Sequence, residues 1–147
     1  FTLPGPTGES NRLTLHPRGT VLCLGPSAEI ALAQAVQALA AGNGAVLACP
    51  GATAAAGPLG TAGAPVAALD ATPDPAMLAT LAGIAQVAAA GRTPWTAALR
   101  RALAERTGPI LPLETAVIAP ERYVVERHVC IDTTAAGGNA SLLAGSA

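Results

Sequence analysis

Few side chains in this sequence could carry chemistry, and their spacing limits what that chemistry could be. The 147 residues include three cysteines (Cys23, Cys49, Cys130), two histidines (His16, His128) and no lysine. Nucleophilic catalysis needs a base beside the nucleophile and a third group that orients the base, and no spacing here assembles such a trio. His128 and Cys130 are two apart and share a face if they lie on a strand. A structural zinc ion wants four ligands, so that pair reads as strand-face coincidence. Cys23 lies inside an apolar run and reads as an inert core thiol. Cys49, before Pro50-Gly51, is the cysteine expected to be exposed, although it has no basic neighbour to lower its pKa. An odd number of cysteines without close pairing reads as free thiols in a reducing compartment. The acids Glu9, Glu29, Asp70, Asp74, Glu105, Glu114, Glu121, Glu126 and Asp132 are scattered and no motif pairs them. Asn139-Ala140-Ser141 matches a glycosylation triplet, but nothing else suggests secretion. No catalytic, metal-binding or cofactor-binding residue is assigned.

Phosphate binding fares no better. A dinucleotide fingerprint needs three glycines, each with its own steric job. The first strand-to-helix turn, Gly25-Pro26-Ser27-Ala28-Glu29-Ile30, has one, and Gly25 reads as serving the tight turn alone. A Walker loop needs a lysine that the chain lacks.

These residues sit in an apolar, weakly charged chain. Hydrophobic residues make up 51% and charged residues 12%, with a net charge of −1, so a packed core is expected rather than disorder. Only Phe1, Trp95 and Tyr123 are aromatic, so alanine, valine, leucine and isoleucine must build that core. There is no basic stripe, which argues against nucleic acid as a partner. The longest apolar run, near Ile84–Ala90, falls far short of the ~20 residues of a membrane span. The opening residues have neither the basic nor the apolar region of a signal peptide. The Pro/Gly-rich start without Met suggests a segment of a longer polypeptide.

Strands and helical stretches alternate along the chain. Gly19–Gly25 is an apolar run between glycines, as in a strand buried on both faces. Ser27 can cap a helix that runs to about Ala41 and stops at Gly42-Asn43-Gly44. A second strand spans Ala45–Cys49, the Ala/Gly-rich stretch Ala52–Gly63 is left open with a short helix as one option, and Pro65–Leu69 reads as a third strand. Asp74 or Thr72 can cap a short helix over Pro75–Leu81, and Ile84–Ala90 is a fourth strand candidate. Thr93 and Pro94 open the clearest helix, which continues to Arg106 with positive charge near its carboxyl end. Pro109–Thr115 is a fifth strand, and Tyr123–Thr133 is an extended segment that breaks the rhythm as a hairpin or arm. The expected fold class is α/β: a Rossmann-like, mostly parallel sheet with flanking helices, plus a terminal β-arm. The expected divisions are a linker over 1–18, the α/β domain over 19–119 and a flap or tail over 120–147.

Several segments resemble the proline utilization A (PutA) family and the aldehyde dehydrogenase superfamily. Ala38-Leu-Ala-Ala-Gly-Asn-Gly-Ala-Val-Leu47 resembles the helix end and following strand of the aldehyde dehydrogenase cofactor-binding domain. Glu126-Arg-His-Val-Cys-Ile-Asp-Thr-Thr-Ala-Ala-Gly-Gly-Asn-Ala-Ser-Leu-Leu143 resembles the end of PutA proteins. Leu3-Pro-Gly-Pro-Thr-Gly-Glu-Ser-Asn11 and Leu15-His-Pro-Arg-Gly-Thr-Val-Leu-Cys-Leu24 resemble the junction where long family members leave their dehydrogenase domain. The resemblance implies a carboxyl-terminal, non-catalytic domain with a degenerate aldehyde dehydrogenase cofactor-binding fold. The parent would oxidise proline with FAD, then glutamate semialdehyde to glutamate with NAD, in other domains. In active aldehyde dehydrogenases a Lys-Pro pair follows the Ala-Gly-Asn strand. Here that place reads Ala48-Cys49-Pro50, so no cofactor is expected in this segment.

By the same resemblance this domain would pack on the dehydrogenase domain of its own polypeptide and cover the tunnel that carries the semialdehyde. Val129, Ile131, Thr133, Thr134, Gly137, Gly138 and Asn139 would form the docking arm, since a β-rich run can add to an exposed edge and glycines allow close backbone approach. The implied location is the bacterial cytoplasm, with the parent peripheral to the inner membrane. Two other readings stand beside this one: a module that still binds NAD, and a dimerisation module whose arm reaches a second protomer.

Overall fold

The computed structural model describes residues 1–6 and 8–132. In chain order the strands are β1 (Thr2–Leu3), β2 (Glu9–Pro17), β3 (Thr20–Gly25), β4 (Gly44–Ala48), β5 (Val66–Leu69), β6 (Gln86–Ala89), β7 (Leu113–Glu114) and β8 (Val124–Asp132). The helices are α1 (Ala28–Ala40), α2 (Ala52–Thr61) and α3 (Pro94–Ala104), with 3-10 turns at Pro75–Ala79 and Pro120–Tyr123. The chain divides into two compact units, Pro17–Val124 and Phe1–His16 with the chain from Val125.

In the first unit the five strands run parallel in the order β5-β4-β3-β6-β7. This is the arrangement that strand-helix-strand alternation leads one to expect, because a parallel neighbour needs a crossover on one face or the other. The period of two in β3 divides the core. Val21 and Cys23 face one side, with Ala31, Ala35 and Ala38 of α1 packed on them, and Leu22 and Leu24 face the other with Leu99 and Leu103 of α3. Alanines at 31, 35 and 38 recur at helical spacing, so α1 presents a smooth face to the sheet. That smoothness lets α1 approach the sheet closely in a chain so poor in aromatics.

Local chemistry sets the element ends. Ser27 Oγ accepts from the Ile30 N–H at 3.4 Å, starting α1. Thr93 and Thr96 close a reciprocal box at the start of α3: Thr96 N–H donates to Thr93 Oγ1 at 3.2 Å and Thr93 N–H to Thr96 Oγ1 at 2.8 Å. Each such cap is worth about 1 kcal/mol. Asp74 accepts from Ala76 N–H at 3.0 Å, and the segment it caps forms a 3-10 turn. β7 is only two residues long where the sequence suggests seven, because Pro109 and Pro112 have no N–H to give a ladder. α2 forms where the sequence left the structure open.

In the second unit β1, β2 and β8 make a three-stranded sheet in that order. β1 and β2 pair antiparallel, with Thr2 opposite Arg12 and Leu3 opposite Asn11, and Thr14 Oγ1 donates to the Arg127 carbonyl at 3.3 Å. The segment expected as a linker over 1–18 therefore contains a nine-residue strand. Its signal is the alternation Arg12-Leu13-Thr14-Leu15-His16, whose period of two marks a half-buried strand; the prolines and glycines that suggest a linker all lie before residue 9 or at its end. Among the described residues no helix is long and apolar enough to cross a membrane.

Candidate functional site

In open parallel sheets, ligands bind outside the carboxyl ends of the strands where the strand order reverses. Here that place lies between β3 and β6, next to the first turn of α1, with the first turn of α2 one strand away at the end of β4. Gly25 ends β3 with φ +74°, and a Cβ there would stand 2.5 Å from the Ser27 carbonyl oxygen and 2.8 Å from Ser27 N. The glycine is thus required by its own turn, as its isolation in sequence suggests. Its N–H donates to Oε1 of the buried Gln34 at 3.2 Å, and its carbonyl accepts from Ala90 N–H at 3.0 Å. β3 and β6 stay bridged to their very ends.

The helix N-termini beside this edge already hold anions. A helix start offers free N–H groups and the positive end of the macrodipole, which is what a phosphate would use. At α1, the Glu29 carboxylate occupies the first turn and accepts from the Ser27 hydroxyl at 2.9 Å. At α2, Asp70 from the end of β5 accepts from the Thr53 N–H at 2.9 Å. The Thr53 N–H, assisted by those of Gly51 and Ala52, holds the Asp70 carboxyl below the usual range. A diphosphate approaching this edge would meet two fixed negative charges. The end of β4, where an acid or lysine would meet a ribose, carries Ala48, Cys49 and Pro50 instead.

The thiols are not arranged for reaction. Burial, with the neighbouring Cys49, pushes Cys23 up to about 12, and burial and the Asp70 charge raise Cys49. Cys49 was expected to be the exposed cysteine and is instead buried, packed in the core under α1 and α2, while Cys130 on β8 is exposed. The reason is that Pro50-Gly51 turn the chain after Cys49, not before it, so its side chain still faces the sheet's inner layer. Among the described residues no three His, Cys, Asp or Glu side chains could hold a metal.

Three amides, Gln34, Gln37 and Asn43, organise the unit. Asn43, which also marks the helix stop, is fully buried and makes four contacts. Its Oδ1 accepts from Arg18 N–H at 2.7 Å and Gly19 N–H at 3.0 Å, and its Nδ2 donates to the carbonyls of Ala38 at 3.0 Å and Tyr123 at 2.9 Å. Gln37 donates to the Val117 carbonyl at 2.8 Å and accepts from Ala119 N–H at 2.7 Å. Together they tie α1 to the segment that leads into β8. Their signal was present: Gln34, Gln37 and Asn43 are the only amides in an otherwise alanine-rich stretch.

Of the residues expected in a docking arm, Val129 and Ile131 lie on β8, which among the described residues is an edge of its sheet. They are 52% and 54% exposed, large values for aliphatic side chains. His128 and Cys130 alternate with them and are also exposed. Thr133, Thr134, Gly137, Gly138 and Asn139 lie outside the described residues.

With this geometry in place, known proteins can be compared. No protein-family profile matches the chain. The bifunctional protein PutA of Escherichia coli K12 is 33% identical over 160 residues, which include 96% of this chain. The chain is homologous to a segment of the PutA proteins. It spans about a tenth of that relative's length, 11%. A crystal structure of a Bradyrhizobium japonicum PutA variant matches with a TM-score of 0.62 and 35% identity, over 77% of this chain and 13% of that one. PnpE, solved in complex with nicotinamide adenine dinucleotide, matches with a TM-score of 0.61 over 78% of this chain and 26% of its own, at 20% identity, which speaks for the fold alone. An aldehyde dehydrogenase from Brucella melitensis matches with a TM-score of 0.57 over 77% of this chain and 26% of its own, at 21% identity, so the chain shares the α/β fold seen in that enzyme.

Proposed function

We propose that this chain is the carboxyl-terminal, non-catalytic domain of a bifunctional PutA enzyme that oxidises proline to glutamate through glutamate semialdehyde. In this reading FAD and NAD belong to other domains of the parent, and this segment binds neither. The observation that carries it is the carboxyl edge of the parallel sheet. There Glu29 occupies the first turn of α1 and Asp70 accepts from Thr53 N–H at the start of α2, two helix starts that would otherwise favour an outside anion, and Gly25 serves its own turn. A domain that keeps the fold but fills the cofactor position with its own groups is suited to packing.

The partner is the aldehyde dehydrogenase domain of the same polypeptide, and the purpose is to cover the tunnel through which the semialdehyde passes. β8 supplies the means. An edge strand has free main-chain donors and acceptors that a neighbouring strand can pair with, and Val129 and Ile131 gain by being covered, at roughly 25 cal/mol per Å² of apolar surface.

Deleting residues 126–147 in the full enzyme tests the reading. The expected result is a lag in NADH formation from proline, with the separate proline and semialdehyde oxidations unchanged. Coupled turnover without a lag overturns it. The exposed edge of β8 suits a second protomer equally well; light scattering separates the two, because a dimerisation arm predicts a smaller particle after deletion. Titration calorimetry with NAD addresses the remaining reading, and saturable micromolar binding would refute an unoccupied cofactor edge.

A further inference from the structure

A second surface lies on the α/β unit, away from the carboxyl edge. The end of α3 and the loop leading into β7 enclose a groove of about 440 Å³, walled by Leu103, Ile110, Leu111 and Leu113. Arg100 and Arg106 line the same groove, and no acid does. Ile110 is 94% exposed, so this apolar loop tip is left in water. Arg106 donates through Nη1 to the Leu78 carbonyl, yet its Nε is buried and has no partner among the described residues.

We propose that this groove docks a polypeptide segment that presents an aliphatic side chain flanked by carboxylates. The apolar walls take the aliphatic group, and Arg100 and Arg106 take the carboxylates. Arg101 is the basic residue in the last turn of α3, where the macrodipole favours it, and Arg100 stands before that turn. Strand addition does not explain the surface: Pro109 and Pro112 have no N–H, which leaves the β7 edge few donors for a pairing strand. Recognition therefore runs through side chains. The proposal rests on the packing role above and names a face by which the α/β unit would pack.

The test titrates the 147-residue chain with a blocked peptide alternating Glu and Leu, followed by amide chemical shifts. Saturable shifts confined to residues 100–113 are expected, with none from the same peptide carrying Lys for Glu. Ile110→Asp and Arg100→Glu alter exposed side chains, so the fold keeps, and each should weaken binding about tenfold, or ~1.4 kcal/mol. Absent shifts, or equal shifts from both peptides, overturn the proposal. So does a dimer that Ile110→Asp dissociates in light scattering, since the occupant is then a second copy. Deleting residues 126–147 leaves this binding intact, so loss of the lid role and loss of this docking are separate outcomes.

Discussion

Replacing Asn43 with alanine puts the organisation of the α/β unit to a quantitative test. The amide makes four hydrogen bonds, to Arg18 N–H, Gly19 N–H and the carbonyls of Ala38 and Tyr123. Each is worth about 1 kcal/mol net, and a buried donor left without a partner costs about 1–3 kcal/mol. Two features reduce the sum. The Ala38 carbonyl keeps a second donor in the Asn43 backbone N–H, and Gly19 is exposed, so water can reach its N–H. About 3 kcal/mol of lost stability is left, a large part of what a domain this size has to lose. Urea denaturation of the chain followed by circular dichroism reads this as a lower midpoint at unchanged slope. Asn43→Asp keeps the two acceptor contacts but loses both donors and buries a charge, so it should be no better than alanine. A loss below about 1 kcal/mol in Asn43→Ala would refute the idea that this side chain pins the start of β3 to Tyr123.

Three further outcomes follow from the same geometry. Gly25→Ala forces a Cβ to 2.5 Å from the Ser27 carbonyl oxygen at φ +74°, and should cost more than about 2 kcal/mol in the same denaturation assay. In native protein a maleimide should label Cys130 first, with Cys23 and Cys49 reacting only on unfolding; fast labelling that survives Cys130→Ser would contradict their burial. The folded-state pKa of Asp70 is lowered, mainly by the Thr53 N–H, so its stabilisation is present above the ordinary carboxyl pKa of about 3.9 and is lost as pH falls through the lower folded value. The melting temperatures of the native chain and Asp70→Asn should therefore differ at pH 6 and converge in the acid range.

Where periodicity and caps agreed, the fold was legible in the sequence. The apolar run between Gly19 and Gly25, Ser27 and Thr93 as caps, and the Gly42-Asn43-Gly44 stop each mark an element end close to where it falls. β2 was not legible in this way, because its prolines and glycines outweighed a five-residue alternation. The depth of Cys49 depends on which way the chain turns after it, and a single sequence does not state that. Most of the site was of this second kind. Glu29 follows the cap Ser27 by two residues, so its helix start was legible, but nothing links Asp70 to α2, which it reaches from 17 residues away. The absence of a lysine and of a glycine-rich turn was legible.

The lid role is tested most directly by isotope dilution. The full PutA enzyme would be given labelled proline in a medium that holds excess unlabelled glutamate semialdehyde, and the label in product glutamate measured. The account predicts that the intact enzyme keeps most of its label, while enzyme lacking residues 126–147 loses it to the pool. Equal dilution in the two enzymes would contradict it.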